Sequence, residues 1–106
     1  MEGTGDVQHP LANLDQVIHA PARLMVFACL YVVESADYVF LMRQTGLTWG
    51  NLSTHLSKLE GAGYVTIEKG YKGRKPHTTV RLTEAGRAAF REYKKSMQLV
   101  LDDLPD

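Results

Sequence analysis

The segment from Trp49 to Gly61 carries the most distinctive side-chain chemistry in the chain. Leu52, Leu56 and Leu59 recur at i, i+4 and i+7, the spacing of one apolar helix face. Around the rest of that helix stand Gly50, Asn51, Ser53, Thr54, Ser57 and Lys58. These are short side chains with one charge, where an ordinary surface helix is rich in Glu, Lys and Arg. An Asn amide can pair with adenine through two hydrogen bonds, and Ser or Thr hydroxyls can serve several bases. Gly50 lets the helix end approach closely. The chemistry on offer is non-covalent recognition of base edges in a major groove.

A second group lies downstream. Lys69, Lys72, Arg74 and Lys75 fall within seven residues, with Tyr71, Gly70 and Gly73 between them and His77 just beyond. Arg81 follows, and Glu68 is the one acid nearby. Lysines in a loop often serve only solubility. Here the glycines let the backbone turn tightly and come close to a ligand. Lys and Arg bind phosphates, and an Arg at a loop tip can enter a minor groove. The stretch GYKGRKP is not a phosphate-cradling P-loop, because no Gly-Lys-Ser/Thr opens a helix there.

No catalytic constellation accompanies these groups. His9, His19, His55 and His77 are far apart and show no paired-ligand spacing. With Cys29 alone, a thiolate zinc site within one chain is excluded. Cys29 reads as a small core residue; a redox role lacks an adjoining base to lower its pKa. The expectation is a non-enzyme with no cofactor and no metal.

The elements that must position these groups are legible from caps and periodicity. Phe40, Leu41 and Gln44 form a short helix that stops at Gly46. Thr48 can cap the helix Trp49–Gly61 by accepting from a free backbone N–H. Gly61-Ala62-Gly63 ends it. Residues 64–69 and 77–82 alternate as strands around a basic loop, Gly70–Pro76. Tyr38-Val39 reads as a short third strand. Arg43 reads as exposed, within reach of a phosphate. Trp49 reads as a packing residue, with a sugar-phosphate contact as the alternative, and His55 as a partly buried neighbour of the leucine face.

The whole order, residues 20–95, resembles the winged-helix transcriptional regulators of the MarR and ArsR type, and above all short stand-alone winged helix DNA-binding domain proteins. The matching pieces are Leu52-Ser53-Thr54-His55-Leu56-Ser57-Lys58-Leu59-Glu60, Gly63-Tyr64-Val65 and Arg81-Leu82-Thr83-Glu84-Ala85-Gly86-Arg87. The resemblance implies an α+β, mainly α, winged helix-turn-helix: a three-helix core plus a β-hairpin wing. It implies a dimeric, sequence-specific DNA-binding repressor or activator whose partner is double-stranded DNA. Metal sensors of the ArsR type often carry cysteines near the helix-turn-helix; this chain does not, so metal sensing is not expected.

Outside that unit, residues 1–9 read as disordered and 10–106 as one domain with terminal dimerisation helices at 10–19 and 84–104. Leu11, Leu14 and Ile18 have helical spacing. Pro21 opens a helix to about Val33 that is apolar all round and needs cover on both sides, from the terminal helices of its own subunit or a partner's. Thr83 caps the last helix. Phe90, Tyr93, Met97, Val100 and Leu104 recur at spacings 3, 4, 3, 4, a heptad seam. With Leu14 and Ile18 they form the expected homodimer interface. A small-molecule effector, if there is one, has to bind there.

The formal charge is zero, but it is unevenly spread. Residues 38–95 hold eleven basic and four acidic residues, while 1–37 and 96–106 are net acidic. Local field steers association with DNA more than total charge does. No secretory leader and no apolar run long enough to span a bilayer are visible, and a single cysteine fits a reducing cytoplasm. Two functions compete. One is a homodimeric transcription regulator on a pseudo-palindromic operator. The alternative is a winged-helix protein-interaction module in a larger assembly, which would need an exposed apolar patch.

Overall fold

The computed structural model describes residues 9–106. Of the segment expected to be disordered, residues 1–8 lie outside that range. His9 lies inside it and its Nδ1 accepts from the Leu11 N–H, capping a single 3-10 turn, Pro10–Asn13. No α-helix forms over 10–19, contrary to the periodicity of Leu11, Leu14 and Ile18. The cause is Asp15, whose carboxylate accepts from the Val17 and Ile18 N–H groups at 2.9 and 3.4 Å. Such a local side-chain bond offers the backbone an alternative to the helical ladder. The segment still buries its apolar residues, with Leu14 5% and Ile18 0% exposed in the chain's own core.

Helix α1 (Pro21–Val32) is the central strut. Val26, Phe27 and Leu30 are fully buried. Strand β1 (Ala36–Asp37) follows, then α2 (Tyr38–Thr45), α3 (Trp49–Gly61), β2 (Val65–Lys72), β3 (Lys75–Leu82) and α4 (Glu84–Asp102). The third strand therefore exists two residues earlier than Tyr38-Val39. Asp37 decides this: its carboxylate accepts from the Phe40 N–H at 2.8 Å, caps α2 and forces Tyr38 into the first helical turn. The sheet order is β1-β3-β2, all antiparallel, with Ala36 opposite Val80 and Val65 opposite Leu82.

The expected basic loop is mostly strand. Pairing runs from Val65 opposite Leu82 to Lys72 opposite Lys75, leaving Gly73 and Arg74 as the only turn residues. Gly73 has φ +67°, the left-handed conformation that a two-residue hairpin turn with glycine first requires.

α4 starts with the expected cap, Thr83 Oγ1 accepting from the Gly86 N–H at 2.9 Å. The same hydroxyl donates to the Gly63 carbonyl at 2.6 Å, tying the end of the hairpin to the end of α3. α4 covers one face of α1 through stacked rings: Phe27 and Phe90 lie 5.3 Å apart and 4° from parallel. Tyr31 packs on Phe90 at 5.1 Å. The cover that α1 needs on its second side comes from this chain's own α4, while Met25 and Val32 stay exposed.

Candidate nucleic-acid interface

The turn between α2 and α3 is built as its residues demand. Gly46 closes α2 with φ +74°, and Thr48 Oγ1 accepts from the Asn51 N–H at 3.2 Å. Leu52, Leu56 and Leu59 are each 0% exposed, which fixes the rotation of α3. Gly50, Asn51, Thr54, Ser57 and Lys58 consequently face solvent. Ser53 is half-buried and turns toward the hairpin. Thr54 Oγ1 donates to the Gly50 carbonyl at 3.0 Å, so its hydroxyl is left to accept rather than donate.

The hairpin presents its cations in two sets. Side chains alternate along a strand, so Lys69 and Tyr71 continue the face of Val65 and Ile67. Lys72, Lys75, His77 and Arg81 point the other way, with Arg74 at the turn. Lys69, Lys72, Arg74 and Lys75 are exposed, and His77 is half-buried. Lys69 looks across a channel toward α3, lined by Tyr38, Ser53, Ser57, Glu60 and Ile67. The sequence singled out Ser53 and Lys69 for separate elements; the fold brings them to one channel. Arg43 is exposed at the end of α2.

Trp49 departs from its packing reading. It is 58% exposed, and its ring rests on Tyr38 with 4.4 Å between centroids. Pro76 and His77 of β3 line the same cleft as these two rings. The sequence signal was present but ambiguous: Trp49 sits at the flank of the leucine face, where either outcome is possible.

Behind the surface, two polar clasps hold the N-terminal segment to α3 and the residues that follow it. Arg23 donates from Nε to the Val17 carbonyl at 2.6 Å and from Nη2 to the Gln16 carbonyl at 3.3 Å, and its Nη1 meets His55 Nδ1 at 3.3 Å. Burial, then the Arg23 and Lys58 charges, hold the His55 pKa below its ordinary value. The Tyr64 hydroxyl donates to Asp15. That bond, with burial and the carboxylate charge, pushes the Tyr64 pKa up to about 12. Burial raises the Cys29 thiol, which argues against a reactive thiolate.

The expected interface residues divide. Leu14, Ile18, Phe90 and Tyr93 are already buried in their own subunit. Met97 and Val100 are half-buried, and Leu104 is 55% exposed. The apolar groove open on α4 runs from Leu24 and Phe90 past Met97 to Leu101. Among the described residues no cluster of three metal-ligating side chains occurs, and no helix is long and apolar enough to cross a membrane.

A winged helix DNA-binding domain family model matches residues 22–101, which takes in both helices of the turn, the hairpin and nearly all of α4. The chain belongs to that family. An uncharacterised protein from Methanocaldococcus jannaschii is 33% identical over 78 residues, covering 74% of this chain and 85% of its own. A transcriptional regulator homologue from Pyrococcus horikoshii OT3 superposes with TM-score 0.83 at 28% identity, covering 92% of this winged helix chain and 100% of its own. The transcriptional repressor CouR, bound to a 23-mer DNA duplex, superposes with TM-score 0.72 at 25% identity over 90% of this chain and 64% of its own. MarR-family regulators share the winged helix fold. The family and fold are those of transcriptional regulators.

Proposed function

We propose that this winged helix protein is a sequence-specific DNA-binding transcription regulator, working in the cytoplasm as a homodimer on a pseudo-palindromic operator. One observation carries the reading: an outward helix face of short hydrogen-bonding groups is flanked by a hairpin bearing Lys69, Lys72, Arg74 and Lys75. Asn51, Thr54 and Ser57 read base edges, with Gly50 allowing close approach and Lys58 and the wing cations neutralising phosphates. Support also comes from CouR, a relative whose structure holds a DNA duplex.

A second copy covers the groove Leu24–Leu101 on α4, pairing Met97, Val100 and Leu104 with their counterparts. Two α3 helices then address half-sites about one helical turn apart or a multiple of it. For a small-molecule effector, the cleft beside that interface is a cavity of about 300 Å³ lined by Asn13, Asp15, Glu92, Tyr93 and Ser96.

The competing protein-interaction reading draws on the apolar patch of α2, where Val39 is 50% and Phe40 36% exposed. Selection of genomic fragments by the purified protein, followed by salt-dependent gel shifts, separates the two. On a selected fragment, Asn51→Ala or Thr54→Ala should cost about 1–3 kcal/mol and leave random-DNA binding nearly unchanged. If the folded Asn51, Thr54 and Ser57 alanine variants all keep the parent specificity ratio, α3 is not the reader.

A further inference from the structure

We infer that Trp49 is a DNA-contacting residue, and that its exposed ring face packs on the deoxyribose of a backbone running between α3 and the wing. The inference rests on the DNA-binding reading above and adds to it a contact of a different chemical kind. Trp49, Ser53 and Ser57 are four residues apart in succession, so they form one row along α3. Ser53 and Ser57 of that row line the channel that Lys69 closes from β2. The Ser53 hydroxyl facing the Lys69 ammonium across an open channel suits a phosphate. Trp49 ends the row at the first turn of α3, beside Pro76 and His77 of the wing.

A sugar-phosphate strand along this row meets polar groups at its phosphates and an apolar plate at its sugar. The plate is pre-set: Tyr38 supports the inner side of the indole at 4.4 Å, so little side-chain freedom remains to be lost on binding. An indole 58% exposed beside the half-exposed Val39 also leaves apolar area that contact would remove from water. Two acids border the site. Asp37 already accepts the Phe40 N–H, and Glu60 stands in the channel lining. Glu60 opposes a phosphate, so Glu60→Gln should tighten binding to DNA of any sequence.

Trp49 is the single tryptophan of the chain, so its emission reports this position alone. The test uses the full-length protein and a labelled mixed-sequence duplex of about 30 base pairs, three turns of B-DNA. Label anisotropy measures binding independently, and acrylamide quenching measures access to the indole. DNA saturation should protect Trp49 from acrylamide. Trp49→Ala should weaken binding about tenfold on every sequence, the scale of one aromatic face left in water. Its slope of log K against log salt should match the parent, because no charge is lost. Trp49→Phe should recover most of the affinity. Unchanged quenching at anisotropy saturation overturns the inference and leaves DNA binding standing. Parent affinity in a folded Trp49→Ala variant does the same. Absence of any anisotropy change overturns the DNA-binding reading and this contact together.

Discussion

Gly86 lies against the backbone of Tyr64 so closely that a Cβ built on it would stand 2.2 Å from the Tyr64 carbonyl oxygen. Replacing a helical glycine by alanine usually stabilises by up to about 1 kcal/mol. Here the neighbour is backbone fixed by the Thr83 N–H, which donates to that same carbonyl at 3.0 Å. Steric overlap of this size costs about 1–3 kcal/mol or more and outweighs the propensity gain. Gly86→Ala should therefore lower the urea midpoint, whereas Gly50→Ala, with open space around it, should not.

The wing cations predict a salt signature. Lys72, Arg74 and Lys75 should each neutralise about one phosphate, so each loss reduces the slope of log K against log salt by about 0.9. The triple alanine variant should bind selected and random DNA more weakly by similar factors. A titration series at several salt concentrations measures the slope, and an unchanged value rules out wing contact.

The free half of α4 predicts the oligomeric state. Met97→Glu with Leu101→Glu places charges in the apolar groove without touching Phe90 or Tyr93, which are 7% and 5% exposed. The variant should be monomeric, with the parent circular dichroism spectrum. Tyr93→Glu should instead unfold the domain, because it buries an unpaired charge. Light scattering distinguishes these results, and a monomeric parent protein at micromolar concentration removes the dimer from the reading.

The two clasps on the N-terminal segment predict stability losses at opposite ends of the pH scale. His55 has a folded pKa below its ordinary 6.5, so the unfolded chain binds its proton first. Its contribution is complete above about pH 6.5 and is lost as pH falls below it. Tyr64 behaves inversely, since its folded pKa of about 12 exceeds the ordinary 10.0. Its contribution is complete below pH 10 and is lost as pH rises toward 12. Thermal melts across pH should show both limbs. His55→Gln should flatten the acid limb and Tyr64→Phe the alkaline one.

The amino-acid sequence by itself determined α3, its Thr48 cap, its buried Leu52, Leu56 and Leu59, the hairpin, and the Thr83 cap of α4. These rest on local rules: an apolar period of 3.6, a hydroxyl reaching an N–H three residues on, an alternation of two. The same rules exposed Asn51, Thr54, Ser57 and the wing cations, because a face opposite fixed leucines has one direction left. Only the tertiary structure decided the rest. Leu11, Leu14 and Ile18 kept helical spacing without a helix, because the Asp15 carboxylate accepts from the Val17 and Ile18 N–H groups and from the distant Tyr64 hydroxyl. Phe90 and Tyr93 look equally fit for a partner or for their own core until Phe27 faces the one and His19 the other. Trp49 could pack or protrude until Tyr38 and Pro76 took their places beside it. In each case the deciding atom belongs to a residue far along the chain or to a side chain competing with the backbone, and periodicity carries no information about either.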